Sequence, residues 1–250
     1  MVSEASIAAM AVSLILSAGV PIAAAVWCWL KYKKTFRNTL TGAAIFIVFV
    51  LVLERSMHLY FLVTNFEASM ILDNPWIYAV YGAFAAGIFE ETGRFIGFKF
   101  LLRGRERWED GIAYGIGHGG IEALLIGGAA AAQNLYFSLT MREGSSVLSD
   151  TAPYLFLVSG FERMFAMALQ VALSLLVLYG VKEKKFRYVI YAVLIHAAVD
   201  FPAALYQKGV ISNIFAIEGG LLIVAAASMY FIVRSGKAFN SNKKITEGEF

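Results

Sequence analysis

Residues 5–30 read ASIAAMAVSLILSAGVPIAAAVWCWL and contain no charged residue. The hydrocarbon core of a bilayer is about 30 Å thick, so a helix needs about 20 predominantly apolar residues to cross it. This stretch is long enough to do so. We interpret it as a retained membrane helix rather than a signal peptide, because no basic region precedes it and its apolar run exceeds that of a typical leader.

The rest of the chain has the same character. Of its 250 residues, 59% are hydrophobic and 16% are charged, whereas soluble domains carry about a quarter charged residues. This composition argues against a soluble globular domain. The net charge of +3 is too small to predict a nucleic-acid partner, and a single cysteine, Cys28, cannot form an internal disulfide. Seven stretches are predicted to span the membrane: Ala5–Leu30, Leu40–Leu62, Trp76–Leu102, Gly111–Phe137, Pro153–Val181, Tyr188–Tyr206 and Val210–Val233.

The basic residues predict how these spans are oriented. Fifteen Lys and Arg residues lie after the first, third, fifth and seventh spans, whereas only Arg142 and Lys208 lie in the intervening loops. Because basic loops stay on the cytoplasmic side, we expect the N-terminus outside and the C-terminus in the cytoplasm. The sequence thus predicts an all-α, polytopic membrane helix bundle. Residues 1–237 form one transmembrane domain, and the charged tail 238–250 is expected to be disordered.

Ionisable residues inside spans are costly, so each needs a partner or a function. One set lies toward the cytoplasmic side of the third, fourth and sixth spans. By a rise of 1.5 Å per residue, Glu91 lies roughly 16 Å, and His118 and His196 roughly 11–12 Å, from the cytoplasmic ends of their spans. We therefore expect one polar site at this level, with these members: Glu90, Glu91, Arg94, His118, Glu122, His196 and Asp200.

Carboxylates and imidazoles at one depth can activate water. A glutamate can act as general base, and an imidazole can donate a hydrogen bond to a developing oxyanion. Alternatively, His118, Glu122 and His196 can bind Zn²⁺ and leave one position for water. A structural interpretation also stays open, in which Arg94 neutralises Glu90 or Glu91 across one helical turn.

A second charged set lies in the outer halves of the second, fifth and seventh spans and comprises Glu54, Arg55, His58, Glu162, Arg163 and Glu218. The opposite charges of these residues can neutralise one another in pairs. We interpret them as structural ion pairs, such as Glu54 with Arg163 or Arg55 with Glu162. The alternative is a polar chamber that leads to the first set.

Three motifs of this chain resemble those of a known superfamily. The segments Glu90-Glu91-Thr-Gly-Arg94, Tyr114-x-x-x-His118 and His196-x-x-x-Asp200 are similar to the EExxxR, FxxxH and HxxxN/D motifs of the CAAX-protease and bacteriocin-processing superfamily. The GHGGIE segment and the Glu162-Arg163 pair look similar to its YhfC-type branch of intramembrane proteases. In this chain the arginine stands one residue earlier than in EExxxR, and Gln170 stands where the YhfC-type fifth span often has a histidine.

The resemblance implies an intramembrane peptidase of a bacterial or archaeal cytoplasmic membrane. Its substrate would be a peptide or membrane protein, and a glutamate would activate water; we favour Glu91, with Glu90 as the alternative. His118 and His196 would stabilise the oxyanion or bind a metal such as Zn²⁺. The side chains expected to orient the site are those of Arg94, Glu122 and Asp200. The competing hypothesis is a non-enzymatic membrane protein, either a proton-coupled transporter or an immunity or scaffold protein.

Overall fold

A computed structural model describes residues 2–140 and 146–241, and these residues form long helices joined by short turns. The long helices are α1 (Glu4–Lys31), α2 (Phe36–Thr64), α3 (75–101), α4 (108–140), α5 (Pro153–Lys182), α6 (Arg187–Gln207) and α7 (Ile214–Ser241). Two short helices, Phe66–Leu72 and Ser146–Asp150, follow α2 and precede α5. Within the described residues there is no β-strand. The predicted all-α fold class is confirmed.

Five of these helices are long and apolar enough to cross a membrane, namely α1, α2, α5, α6 and α7. Helix α3 contains Glu90, Glu91 and Arg94, and α4 is interrupted by glycines and polar side chains, so neither belongs to this group. The five apolar helices confirm the prediction of an integral, multi-pass membrane protein. The crossing number and the orientation of the termini stay predictions.

Helices α4 and α5 occupy the centre of the bundle. Helix α2 packs along α4, α1 packs against α4 and α5, and α7 lies along α5, while α3 packs mainly along α6. The apolar core between α4 and α5 includes Tyr114, Leu175 and Leu178, which are fully buried. The centre of the bundle therefore positions the polar residues that α3, α4, α5 and α6 contribute.

Glycines allow α4 to approach its neighbours at backbone distance. A Cβ atom on Gly117 would overlap the carbonyl of Thr39 in α2, and one on Gly115 would lie 2.6 Å from the Cα atom of Val171 in α5. Small residues permit such close helix packing in membranes. This approach brings short side chains on neighbouring helices within reach of one another.

The start of α4 is fixed by a buried carboxylate. Asp110 accepts hydrogen bonds from the backbone N–H of Arg107 and from its guanidinium, and also from the side-chain amide of Asn38 in α2. The hydrogen bonds with Asp110 raise the pKa of Arg107 above its usual range. The first backbone N–H groups of a helix lack helical partners, so this cap stabilises the N-terminal end of α4. His118 and Glu122 lie further along the same helix.

Each of the first six predicted spans coincides with a long helix, but the seventh is displaced. It was expected over Val210–Val233, and α7 covers Ile214–Ser241. Gly209 has a φ of +74°, which ends α6, and the Asn213 side chain accepts a hydrogen bond from the backbone of Ala216. The helix therefore starts later than its apolar residues suggest.

The other end of α7 corrects the prediction of a tail that is disordered from residue 238. The helix continues to Ser241, because Phe239 is buried against Tyr179 and its carbonyl accepts a hydrogen bond from Lys182 Nζ at 2.8 Å. Residues 242–250 lie outside the described residues, as do residues 141–145 with Arg142.

Candidate active site

Helix α3 contributes two adjacent carboxylates and the arginine that binds both. Arg94 Nη1 donates to Glu91 Oε1 at 2.5 Å, and Nη2 donates to Glu90 Oε2 at 3.2 Å. Arg94 and Glu91 are fully buried, and Glu90 is 5% exposed. Unpaired charges at such depth cost several kcal/mol, so the ion pairs are what make this burial possible.

His118 of α4 binds the same oxygen of Glu90. Its Nε2–H donates to Glu90 Oε2 at 2.9 Å, and this nitrogen carries the proton because an ionised carboxylate can only accept. The ring is completely buried and is held edge-on by Phe46 of α2, with 5.3 Å between ring centroids. His118 therefore fixes the orientation of the Glu90 carboxylate.

His196 of α6 joins the two glutamates from the other side. Its Nδ1–H donates to Glu91 Oε1 at 2.8 Å, while Nε2 lies 3.8 Å from Glu90 Oε1 and 3.4 Å from Asp200 Oδ2. Gly87 permits this approach, because a Cβ atom there would lie 2.9 Å from the carbonyl of Val193 on α6. Both nitrogens of His196 thus face carboxylate oxygens, and a proton or a metal ion at Nε2 would satisfy this arrangement.

The residue that sequence reasoning missed is Gln170 of α5. Its side-chain amide donates to Glu90 Oε2 at 3.0 Å and to Glu122 Oε2 at 2.7 Å, and its carbonyl oxygen accepts from Arg94. A buried, uncharged polar residue in a long apolar span was the available signal. The motif comparison treated Gln170 only as a departure from the YhfC-type pattern.

A cavity of about 800 Å³ opens beside this cluster, between α5, α6 and α7. Glu90, Gln170 and His196 contribute to its wall, whereas Glu91 is fully buried behind it. Along α7 the lining residues run from Ala216 to Phe231, a distance of about 22 Å at 1.5 Å per residue. Much of the remaining wall is apolar and includes Leu169, Leu173, Leu176, Val199, Leu221 and Phe231. A narrow apolar ligand could therefore lie against the polar cluster.

The structure brings Glu90, Glu91, Arg94, His118 and His196 into one network. Asp200 is at its edge, next to His196 Nε2 and with its side chain 38% exposed. Glu122 has other partners, since Gln170 and Arg163 bind its two oxygens. The structure does not bring Glu122 together with both histidines, and the carboxylate next to both imidazoles belongs to Glu90; which residues bind a metal stays a prediction.

The expected ion pairs of the second set also need correction. Arg163 binds its own neighbour Glu162 and lies 3.4 Å from Glu122, because both acids are within reach on α5 and α4. Glu54 instead pairs with His58 one turn along α2, at 3.1 Å, and Arg55 is exposed. Glu162, Arg163 and Glu218 line the cavity, which agrees with the alternative of a polar chamber for this part of the set.

The donors in this cluster suit zinc by type, since two imidazoles and a carboxylate are common ligands of catalytic Zn²⁺. His118 Nε2 and His196 Nε2 face the two different oxygens of Glu90. Among the described residues, however, no group of three His, Cys, Asp or Glu side chains is arranged to hold a metal ion. The donor set therefore fits a metal in composition, and binding would require these side chains to turn toward a common point.

Comparison with known proteins adds evidence on the whole chain. Residues 16–221 match the family described as YhfC intramembrane metalloprotease. A protein of Bacillus subtilis (strain 168), named "Uncharacterized membrane protein YhfC", is 34% identical over 257 aligned residues, which cover 96% of this chain and all of that protein. The matched region includes α2 to α6 and hence every member of the polar network described above.

Proposed function

We propose a function for this chain on the basis of its family, because it belongs to the YhfC intramembrane metalloprotease family. The protein is an intramembrane peptidase, which hydrolyses a peptide bond of a substrate bound in the cavity between α5, α6 and α7. One observation carries this proposal: Glu90 and His196, from two different helices, meet at the polar part of a largely apolar cavity wall. The three short motifs support the wider placement in the CAAX-protease and bacteriocin-processing superfamily, which we also propose.

We assign the water-activating role to Glu90 rather than to Glu91. Three donors hold Glu90 Oε2, namely His118, Arg94 and Gln170, so Oε1 is the oxygen left to accept a proton. Glu90 also lines the cavity, whereas Glu91 is inaccessible and binds Arg94 and His196. Glu91 therefore acts as a positioning residue, in the way that a carboxylate orients an imidazole in many enzyme sites.

The proposed reaction is an addition of water followed by elimination. Glu90 Oε1 takes a proton from water while the water oxygen bonds to the scissile carbonyl carbon, and the carbonyl electron pair moves onto its oxygen. The Nε2–H of His196 donates to this oxyanion. When the oxyanion collapses, the C–N bond breaks and the leaving nitrogen takes the proton from Glu90.

The family description makes a metal part of the proposal. As an alternative to the metal-free steps above, Glu90, His118 and His196 are the residues that would hold Zn²⁺, and the ion would then supply Lewis-acid polarisation of the carbonyl or of water in place of the Glu90 base and the His196 donor. Arg94, Gln170 and Glu91 would remain beside these three residues and orient them.

The test uses the full-length protein reconstituted in liposomes with a panel of membrane-embedded peptides. We expect wild type to cleave at least one peptide and Glu90→Gln to lose about 10³-fold or more in kcat, as general-base removal does. The control is Glu54→Gln, a carboxylate in α2 outside the cavity wall. Equal processing by wild type and Glu90→Gln would contradict the proposal, and transport of protons without cleavage would favour the transporter hypothesis.

Metal content is measured on protein purified without chelator. Stoichiometric zinc that is lost in His196→Ala would support the metallopeptidase form of the proposal. Cleavage by metal-free protein that chelator does not inhibit would support the form in which Glu90 alone activates water.

A further inference from the structure

We propose that Gln170 is a positioning residue for the reaction: it selects which oxygen of Glu90 faces the substrate. This inference rests on the peptidase function proposed above and assigns a role to a residue of α5, a helix that carries none of the three superfamily motifs.

The hydrogen bonds of Gln170 define its orientation completely. Its carbonyl oxygen accepts from Arg94, so the NH₂ group must point the other way, toward the two carboxylates. One N–H donates to Glu90 Oε2 at 3.0 Å and the other to Glu122 Oε2 at 2.7 Å. With both donors and the acceptor in use, the amide cannot flip without losing contacts.

The position of the Gln170 amide also affects the two glutamates that it contacts. Glu90 and Glu122 belong to α3 and α4, and one amide group lies between a carboxylate oxygen of each. Two carboxylates that face each other in a medium of low dielectric constant repel strongly. The amide of Gln170 replaces this repulsion with two hydrogen bonds, and it holds Oε2 of Glu90 so that Oε1 lies on the side of His196, which lines the cavity together with Glu90.

The network also extends from the reacting group toward the outer part of the cavity. Glu122 lies 3.4 Å from Arg163, which binds Glu162, and both Arg163 and Glu162 line the cavity. Gln170 is the link between this pair and Glu90. Packing supports its position, because a Cβ atom on Gly119 of α4 would lie 2.8 Å from the Cβ atom of Gln170.

The first experiment compares Gln170→Leu with a matched control in the same helix. The control is Ser174→Ala, since Ser174 is buried one turn away and its hydroxyl bonds only the helix carbonyl of Gln170. On a peptide that wild type cleaves, we expect Gln170→Leu to lower kcat by about 10–100-fold, with KM changed less than about threefold, because it removes an orienting contact and no substrate contact. We expect Ser174→Ala to match wild type in both constants.

The second experiment separates positioning from mere packing. Gln170→Glu adds a third carboxylate to the cluster and should lower both thermal stability and kcat. The double variant Gln170→Glu/Glu122→Gln exchanges amide and carboxylate, so the contact between positions 170 and 122 forms again in reverse. We expect thermal stability to rise above that of Gln170→Glu, because the amide at position 122 donates to the carboxylate at position 170. We expect kcat to stay low, because that carboxylate cannot donate to Glu90. Recovery of kcat in the double variant would overturn the positioning role.

A third measurement does not require activity. The infrared carboxylate bands of Glu90 are identified as those that disappear in Glu90→Gln, and we expect them to shift in Gln170→Leu but not in Ser174→Ala. If wild type cleaves no peptide while these bands shift, the peptidase proposal fails and the contact role of Gln170 stands. If wild type cleaves, and Gln170→Leu shows neither a band shift nor a change in kcat, the role of Gln170 is wrong and the peptidase proposal stands.

Discussion

Carboxylate–histidine pairs lie in two parts of this membrane bundle, and a pair taken from each part has different surroundings. In the inner pair His118 binds Glu90 at 2.9 Å, and in the outer pair His58 binds Glu54 at 3.1 Å. The inner pair joins α3 to α4, and Glu90 also contacts Gln170 of α5 and His196 of α6. The outer pair lies within α2, and among the described residues its one hydrogen bond to another helix joins His58 to Tyr81 of α3. The inner pair reaches the cavity wall, and the outer pair does not contribute to it.

These surroundings show that residue type alone does not mark a site in a membrane protein. An i,i+4 pair such as Glu54 and His58 compensates its own burial within one helix. Glu54 ends the π-helical stretch Ile47–Glu54 of α2, and His58, one turn further on, contacts Tyr81 of α3. A pair joined across helices, beside a cavity, has a geometry that a single helix cannot provide.

The strongest contrast is expected between His196, which belongs to the same network as the inner pair, and His58 of the outer pair. We expect His196→Ala to lower kcat/KM for a cleaved peptide by about 10²–10⁴-fold, because it removes the donor for the oxyanion, whereas His58→Ala changes it less than about threefold. The measurement is steady-state cleavage in liposomes. A loss of similar size in both variants would remove the distinction between the inner and outer pairs.

A smaller effect is expected from the carboxylates that do not face the substrate. Glu91→Gln should lower kcat by about 10–100-fold, since Glu91 orients His196 and is not the base. Glu54→Gln is the matched change in the outer pair and should leave kcat near that of wild type. If Glu91→Gln were as inactive as Glu90→Gln, the assignment of the base to Glu90 would have to be reversed.

Two glycines of α3 should give the weakest contrast. A Cβ atom on Gly87 would press on α6 next to His196, whereas nothing lies within 4 Å of a Cβ atom on Gly82. We expect Gly87→Ala to lower kcat by about three- to tenfold, given that a 1 Å misplacement costs about 10²-fold. Gly82→Ala should keep full activity and raise the unfolding temperature in detergent slightly, because alanine favours helix. Equal activity of the two variants would show that α3 and α6 tolerate separation.

The sequence predicted the fold well because the membrane constrains it strongly. Any stretch of about 20 apolar residues has to form a helix to satisfy its backbone in lipid. This reasoning located the first six long helices. It misplaced α7, because the turn at Gly209 and the contact of Phe239 with Tyr179 depend on local geometry that hydropathy does not record.

The site was predictable in part, by depth. Counting residues from the cytoplasmic ends brought Glu90, Glu91, His118 and His196 to one level, and the structure places them in contact. Depth does not give the direction in which a side chain points. It therefore could not distinguish Glu90 from Glu91, could not pair Arg163 with Glu122, and gave no reason to include the uncharged Gln170.

The composition of α3 and α4 has a consequence for how the protein is made. Charged residues at the centre of a helix disfavour insertion by the translocon by about 2.5–3.5 kcal/mol each, and α3 carries three of them in Glu90, Glu91 and Arg94. Arg94 pairs with both glutamates inside α3, and His118, Gln170 and His196 add their hydrogen bonds once α4, α5 and α6 have been made. The hydrogen bonds of these buried charges in α3 are therefore complete only after α5 and α6, in the second half of the chain, have been synthesised.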